Sequence, residues 1–194
     1  MIGKQIKTLE ELLSQKVSQN RVKEYQKYNQ IIGATTEELS RFEGKYKIKL
    51  PDDFKEFYSY KNGSGYHFHI LYPNCAGEHI EPFYLFSLEE MEKEKDGFFS
   101  SDELMSEYYE NDEISRLDTR IKPYLMNEHW FPFASLAGGD LYLMLDYDPS
   151  EKGVRGQIIS FIHDPDFIYF VANDLTELLE QSNDNLATIE KIGY

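Results

Sequence analysis

Four short apolar segments in the second half of the chain constrain its fold more than any other feature. Residues 131–135, 140–147, 156–163 and 167–172 each read as a strand. Between them lie only Gly138-Gly139, then Asp148-Pro149-Ser150 with Gly153, then Asp164-Pro165-Asp166. Parallel neighbours need a crossover of a dozen or more residues, so strands joined this tightly pair antiparallel. That excludes a doubly wound α/β fold. Two more strands are expected upstream, at Tyr66–Tyr72, where Tyr66, Phe68, Ile70 and Tyr72 alternate with His67, His69 and Leu71, and at Ile80–Phe86. The fold class is therefore α+β, with an antiparallel, twisted sheet of about six strands and flanking helices.

The helices announce themselves by spacing and by caps. Residues 4–30 read as one helix, because Ile6, Leu9, Leu13 and Val17 recur at intervals of three and four. Thr35 with Glu38, Ser87 with Glu90 and Ser100 with Glu103 have the spacing of capping boxes. Lys49-Leu50-Pro51 ends the helix that Thr35 begins, since proline disfavours helix at the residue before it. Asp52 and Asp53 are expected to cap the next helix, and Asn62-Gly63 to stop it in a left-handed turn. Asp174 with Glu177 opens a last helix over Leu175–Gln181, with at most a short helix after it.

Charge narrows the function. The chain of 194 residues carries 20 basic and 35 acidic side chains, a formal net charge of −15. Such a chain is a poor binder of nucleic acid or anionic membrane, while contact with a basic protein stays open to it. The charge is localised. Residues 1–50 hold ten basic and six acidic side chains, net +4, whereas residues 87–118 hold three and twelve, net −9. The acidic stretch includes Glu89, Glu90, Glu92, Asp102, Glu103, Glu107, Glu110, Asp112 and Glu113. It reads either as a solvated helical face or as a steering surface for a basic partner. No apolar run approaches membrane-spanning length, the N-terminus lacks the apolar core of a secretory signal, and the one cysteine, Cys75, has no internal disulfide partner. A cytoplasmic location is expected.

Catalytic and metal patterns fit poorly. His67 and His69, with Cys75 and His79 nearby, match no standard zinc spacing. Asp146-x-Asp148 begins like a calcium loop, but Glu151 and Gln157 stand where glycine and glutamate are needed. Gly138-Gly139-Asp140 lacks the lysine of a phosphate-binding loop. No Gly-x-Ser-x-Gly elbow or thiol-protease signature is present. No catalytic residue, metal or cofactor is expected.

One longer pattern is more specific. Residues 36–65, TEELSRFEGKYKIKLPDDFKEFYSYKNGSG, place a Leu-Pro break between two helices and close on Asn-Gly. Later come FPFASLAGGDLYLMLDYDPSEKGVRGQIISFIHD and DLTELLE. This series resembles the SUKH superfamily, the group of the fungal Smi/Knr cell-wall regulators and many small bacterial proteins. The matching positions are Leu50, Pro51, Phe54, Asn62, Gly63, Trp130, Pro132, Phe133, Gly139, Asp140 and Asp146. The resemblance implies a domain over 35–181, preceded by a helical extension over 1–34, interrupted by the acidic insert 87–118 and followed by a tail over 182–194. It also implies a binding scaffold rather than an enzyme. Free-standing bacterial members resemble immunity proteins that neutralise toxins, nucleases among them, by direct contact. A short chain read as complete from Met1 is expected to be of that type. The alternatives are a regulatory scaffold of the Smi/Knr kind and, from another class, an enzyme using His67, His69 or His163.

Overall fold

The structure, a computed structural model, describes residues 1–76, 79–136 and 139–193. The elements are α1 (Ile2–Lys16), α2 (Val22–Gln30), α3 (Thr36–Tyr46), α4 (Asp52–Tyr60), β1 (His69–Leu71), β2 (Phe83–Leu85), α5 (Leu88–Gly97), β3 (Glu103–Leu104), α6 (Asn111–Ile114), β4 (Tyr124–Met126), β5 (Trp130–Ser135), β6 (Leu141–Asp146), β7 (Gln157–Ile162), β8 (Phe167–Ala172) and α7 (Leu175–Thr188). Six strands form one antiparallel sheet in the order β1-β2-β5-β6-β7-β8, and β3 and β4 form a separate two-stranded ladder. The fold is α+β, as the tight turns require. Of the expected turn Gly138-Gly139, Gly138 lies outside the described residues, while Gly139 takes φ +82°.

The central strands β5, β6 and β7 are buried almost throughout, so both faces of the sheet are covered. That explains why these segments read as apolar runs rather than clean alternations. Their one buried charge is Asp146, with no solvent exposure. Burial pushes its carboxyl above the ordinary range, and three donors oppose that. Trp130 Nε1 donates at 3.1 Å, the Asp148 amide at 2.9 Å and Gln157 Nε2 at 2.9 Å. The network ties β5, β6 and β7 together at one end.

The helices pack through the expected stripes. α1 lies against α7 and buries Ile2, Ile6, Leu9 and Leu13, while Asn183 of α7 donates to the Gln5 carbonyl at 2.9 Å. The helix expected over 4–30 is in fact two. The break falls at Val17-Ser18 and a 3-10 turn at Gln19–Arg21, where Val17 bridges Ile192 and the Ser18 hydroxyl bonds the Ile192 carbonyl at 2.5 Å. A contact made 174 residues away ended the helix, which local periodicity could not show. At the far end of α2, buried Lys61 donates to the Tyr28 and Ile31 carbonyls at 3.3 and 3.0 Å. A cation at a helix C-terminus offsets the negative end of its dipole.

Two capping boxes form as expected, Thr35 with Glu38 and Ser87 with Glu90. Asp174 accepts from the Glu177 amide at 2.8 Å to start α7, which runs on to Thr188 rather than ending at Gln181. Asp52 and Asp53 do not cap α4, whose N-cap is Pro51. The Asp53 carboxylate instead accepts from the Thr176 amide at 2.9 Å, supporting the first turn of α7. α4 stops with Lys61 in an extended conformation, and the positive φ falls later, at Gly63 (+93°).

Three further expectations are corrected. The strand over Tyr66–Tyr72 shrinks to His69–Leu71, because Gly65 and His67 take φ +81° and +63° and turn the chain. The Arg21 guanidinium holds that turn by donating to the His67 carbonyl. The strand over Ile80–Phe86 shrinks to Phe83–Leu85, with Ile80 only bridging Asn74, since Pro82 has no amide for a ladder. Ser100 and Glu103 cap no helix; Glu103 opens β3, paired with Met126 of β4.

Replacing Trp130 by phenylalanine removes one donor from the buried Asp146 carboxylate and leaves the ring volume roughly in place. The expected loss is about 1–3 kcal/mol of unfolding free energy, measured by urea denaturation; an unchanged midpoint would show the indole N–H to be dispensable.

Candidate protein-binding surface

The acidic insert begins where the early and late halves of the fold meet. Asn62 Oδ1 accepts from the Leu88 amide at 2.9 Å, and the Ser87–Glu90 box satisfies the adjoining amides. A Cβ on Gly63 would stand 2.8 Å from the Ser87 nitrogen, so only glycine permits this approach. This junction aims α5 along the outside of the sheet.

α5 then sorts its carboxylates into two rows. Leu88, Met91 and Lys95 are its buried side. Lys95 donates to the Phe99 carbonyl, and desolvation holds its amine below the ordinary lysine range. Glu92 and Asp96, one turn apart, face α3. Arg41 pairs with Glu92 at 2.9 Å, and Lys45 reaches Glu92 at 3.0 Å and Asp96 at 2.7 Å. Two carboxylates at i, i+4 repel each other on an isolated helix, and the α3 cations reverse the sign of that term. The hydrogen bond from Lys45 holds the Asp96 carboxyl below the ordinary range, and the same contact raises the Lys45 amine. Glu90 and Glu94 form the other row. Glu90 is spent on the cap, and Glu94 accepts from the Tyr142 hydroxyl at 3.1 Å. Among the described residues Glu94 has no ion-pair partner.

Beyond α5 the insert is a small lobe made of β3, β4, a 3-10 turn at Met105–Glu107 and α6. Several of its acids do structural work. Asp102 accepts from the Glu128 amide at 2.8 Å, Glu103 accepts from the Tyr108 hydroxyl at 3.3 Å, and Glu110 and Glu113 form a reciprocal box around α6. Glu89, Glu107 and Asp112 are exposed, as are the apolar side chains of Leu104 and Tyr108. The lobe joins the sheet at β8, where the Tyr109 hydroxyl donates to the Asp166 carbonyl and the Tyr109 ring meets Phe167 edge-on at 6.2 Å.

Between the first turns of α3 and α5 lies an open cleft of about 730 Å³, lined by Glu37, Glu38, Arg41, Asn62, Glu89 and Glu92 among others. Glu37 and Glu38 were not legible as part of an acidic surface, because they belong to the net-positive first 50 residues. Only the packing of α3 beside α5 adds them to it. The surface as a whole can bind cationic side chains.

The motif positions are distributed through the frame rather than gathered at a site. Leu50, Phe54, Trp130, Pro132, Phe133 and Asp146 are buried, Pro51 caps α4, and Asn62 and Gly63 make the α5 junction. Asp140 is exposed at the turn into β6, where its carbonyl accepts from the His163 amide at 2.8 Å. His67 and His69 do not share one side of a strand, because His67 sits in the turn and His69 is buried in β1. Cys75 is buried and burial raises its thiol pKa, the opposite of an activated nucleophile. Among the described residues no three His, Cys, Asp or Glu side chains gather as a metal site would need, and no helix is long and apolar enough to cross a membrane.

Removing the α3 cation with Lys45→Met should cost about 0.5 kcal/mol, the discounted worth of an exposed pair, and the loss should shrink in high salt. Its pH dependence has a definite sign. Because the folded Asp96 pKa is lowered, this stabilisation is present above the ordinary aspartate value and fades as the pH falls through the folded one. Chemical denaturation of wild type and variant across acidic pH would show their stabilities converging; a gap that persists at the acid end would contradict the pairing.

Comparison with known proteins places this architecture. No curated protein matches the chain. The family model described as the SMI1 / KNR4 family (SUKH-1) matches residues 33–181, which runs from the loop before α3 into α7 and encloses the whole sheet and the acidic insert. With about three quarters of its length matched in this way, the chain belongs to the SMI1 / KNR4 family (SUKH-1).

Proposed function

We propose that this chain is an immunity protein that binds a cognate toxin domain directly and blocks it. The family includes immunity proteins, and their domain is in general not enzymatic. The observation that carries the reading is the partial neutralisation of the insert. Arg41 and Lys45 cancel charge only on the side of α5 that faces α3. Glu89, Glu107 and Asp112 stay exposed and form no ion pair among the described residues, and the lobe that carries Glu107 and Asp112 also exposes Leu104 and Tyr108. Apolar anchors inside a charged rim are the composition of a protein interface.

The charge suggests the partner's character. A toxin that cleaves nucleic acid must hold phosphate and so presents a basic surface. An acidic protein seated there would occlude it, and long-range attraction would speed the encounter. The bulk of the net charge then has a kinetic role, whereas specificity rests on the anchors.

The reading is tested by capture. The chain, isolated from its native cell with its bound protein, gives a partner that mass spectrometry identifies. Expressed alone, that partner should stop growth, and co-expression of this chain should restore it. A captured partner that is harmless when expressed alone would contradict the immunity role and favour a regulatory scaffold. With the partner in hand, Glu107→Lys together with Asp112→Lys should slow association about tenfold and flatten its salt dependence. Unchanged association would mark the lobe as a solvated face.

A further inference from the structure

The two sides of α3 meet different surroundings. Arg41 and Lys45 point to α5 and are paired there. Ser40, Gly44 and Lys47 follow one another at intervals of four and three residues and share another side. With Glu43, Lys49 and Arg155 they line an open cleft of about 600 Å³. The acidic cleft lies at the first turn of α3, and this one lies at its last. Its sign is the reverse of the chain's. Three cations face one acid here, in a protein with 20 basic and 35 acidic side chains. That acid is used internally, since Glu43 accepts from the Leu50 amide at 2.8 Å and pairs with Lys49 at 3.2 Å. Lys47 and Arg155 are exposed and form no ion pair among the described residues. The wall that carries Arg155 is held in place. The Tyr147 hydroxyl donates to the Lys49 carbonyl at 2.8 Å, and the Arg155 guanidinium lies over the Tyr147 ring at 5.4 Å.

Two residues of the cleft run against the needs of the helix. Gly44 lies within α3, where glycine is less stable than alanine, yet a Cβ there would meet nothing within 4 Å. Lys47, just past the last turn, takes φ +55°, a left-handed conformation that suits glycine and strains a lysine. A glycine thus stands where a side chain would fit, and a lysine where glycine would be easier. What this choice provides is bare backbone on one side of the cleft and a cation at its end.

We propose that this cleft is a second interaction surface, which takes a short acidic peptide segment of a partner protein. The proposal goes beyond the immunity reading and does not rest on it, because the acidic insert serves a basic partner and this cleft an acidic segment. The Arg155 guanidinium can hold a carboxylate through two parallel N–H donors, and Lys47 and Lys49 add point charges. Bare backbone at Gly44 lets the segment approach α3 closely. The volume is in the range of sites that hold several groups rather than one ion. A long polyanion such as nucleic acid would carry its phosphates into the field of a chain with net charge −15, whereas a segment with two or three carboxylates draws on the local cations alone.

A capped Gly-Asp-Glu-Asp-Gly peptide is the probe, with Gly-Asn-Gln-Asn-Gly as its neutral counterpart. Each is titrated into the full chain and followed by amide NMR shifts. The expected result is saturable shifts at Ser40, Gly44, Lys47, Lys49 and Arg155 with the acidic peptide and little change with the neutral one. Lys47→Gly should weaken binding about threefold, the worth of one exposed charge contact, without lowering the melting temperature, because glycine suits the left-handed position. Arg155→Gln should weaken it by a similar factor. Gly44→Ala should keep the fold and also weaken the peptide, by crowding its backbone. Lys23→Gln, on α2, should change nothing. Absence of saturation, equal shifts with the neutral peptide, shifts centred on other lysines, or binding unaltered by both Lys47→Gly and Arg155→Gln would overturn the proposal. A single-stranded oligonucleotide that saturates the same residues more tightly than the peptide would overturn it in favour of a nucleic-acid site. None of these outcomes depends on toxin protection. If the cleft binds and growth rescue fails, the immunity role is lost and the second surface stands. If rescue succeeds and the cleft is silent, the reverse holds.

Discussion

The approach of Gly63 to Ser87 is the constraint on which the rest of this surface depends. A side chain at position 63 would fall within 2.8 Å of the Ser87 nitrogen, so the loop after α4 can touch the start of α5 only because it has none. The contact lets Asn62 accept from the Leu88 amide and leaves the Ser87–Glu90 box to satisfy its neighbours. Helix direction is set in its first turn, where unpaired amides must find acceptors. Fixing that turn fixes which carboxylates of α5 meet Arg41 and Lys45 and which lie beside Tyr142.

This division turns a bulk property into an organised one. A net charge of −15 would act on a partner from any direction. Cancelling Glu92 and Asp96 against α3, while Glu94 and the exposed acids of the lobe form no ion pair among the described residues, gives the field an orientation. Asp146 shows the contrasting use of an acid. Its three donors and complete burial make it part of the frame, although on sequence it resembled a ligand-loop residue.

The sheet was legible because its information is local. Turn residues and apolar runs located β5 to β8 within a residue or two, and the boxes at Thr35 and Ser87 marked two helix starts. What stayed hidden depends on distant partners. Ile192 ends α1, Arg21 holds the turn at His67, and Met126 recruits Glu103 into a ladder although Ser100 to Glu103 has the spacing of a cap. The acidic composition of the insert was plain, but its pairing was not, because the cations that cancel part of it sit some 50 residues earlier on α3.

The central claim is that α5 and what flanks it form the binding face. Hydrogen exchange on the chain alone and in complex with its captured partner tests this most directly. The account predicts slower exchange on binding across α5 and the lobe from Glu103 to Ile114, with α1 and α7 unchanged. Protection confined to α1 and α7, with α5 exchanging as in the free protein, would contradict it.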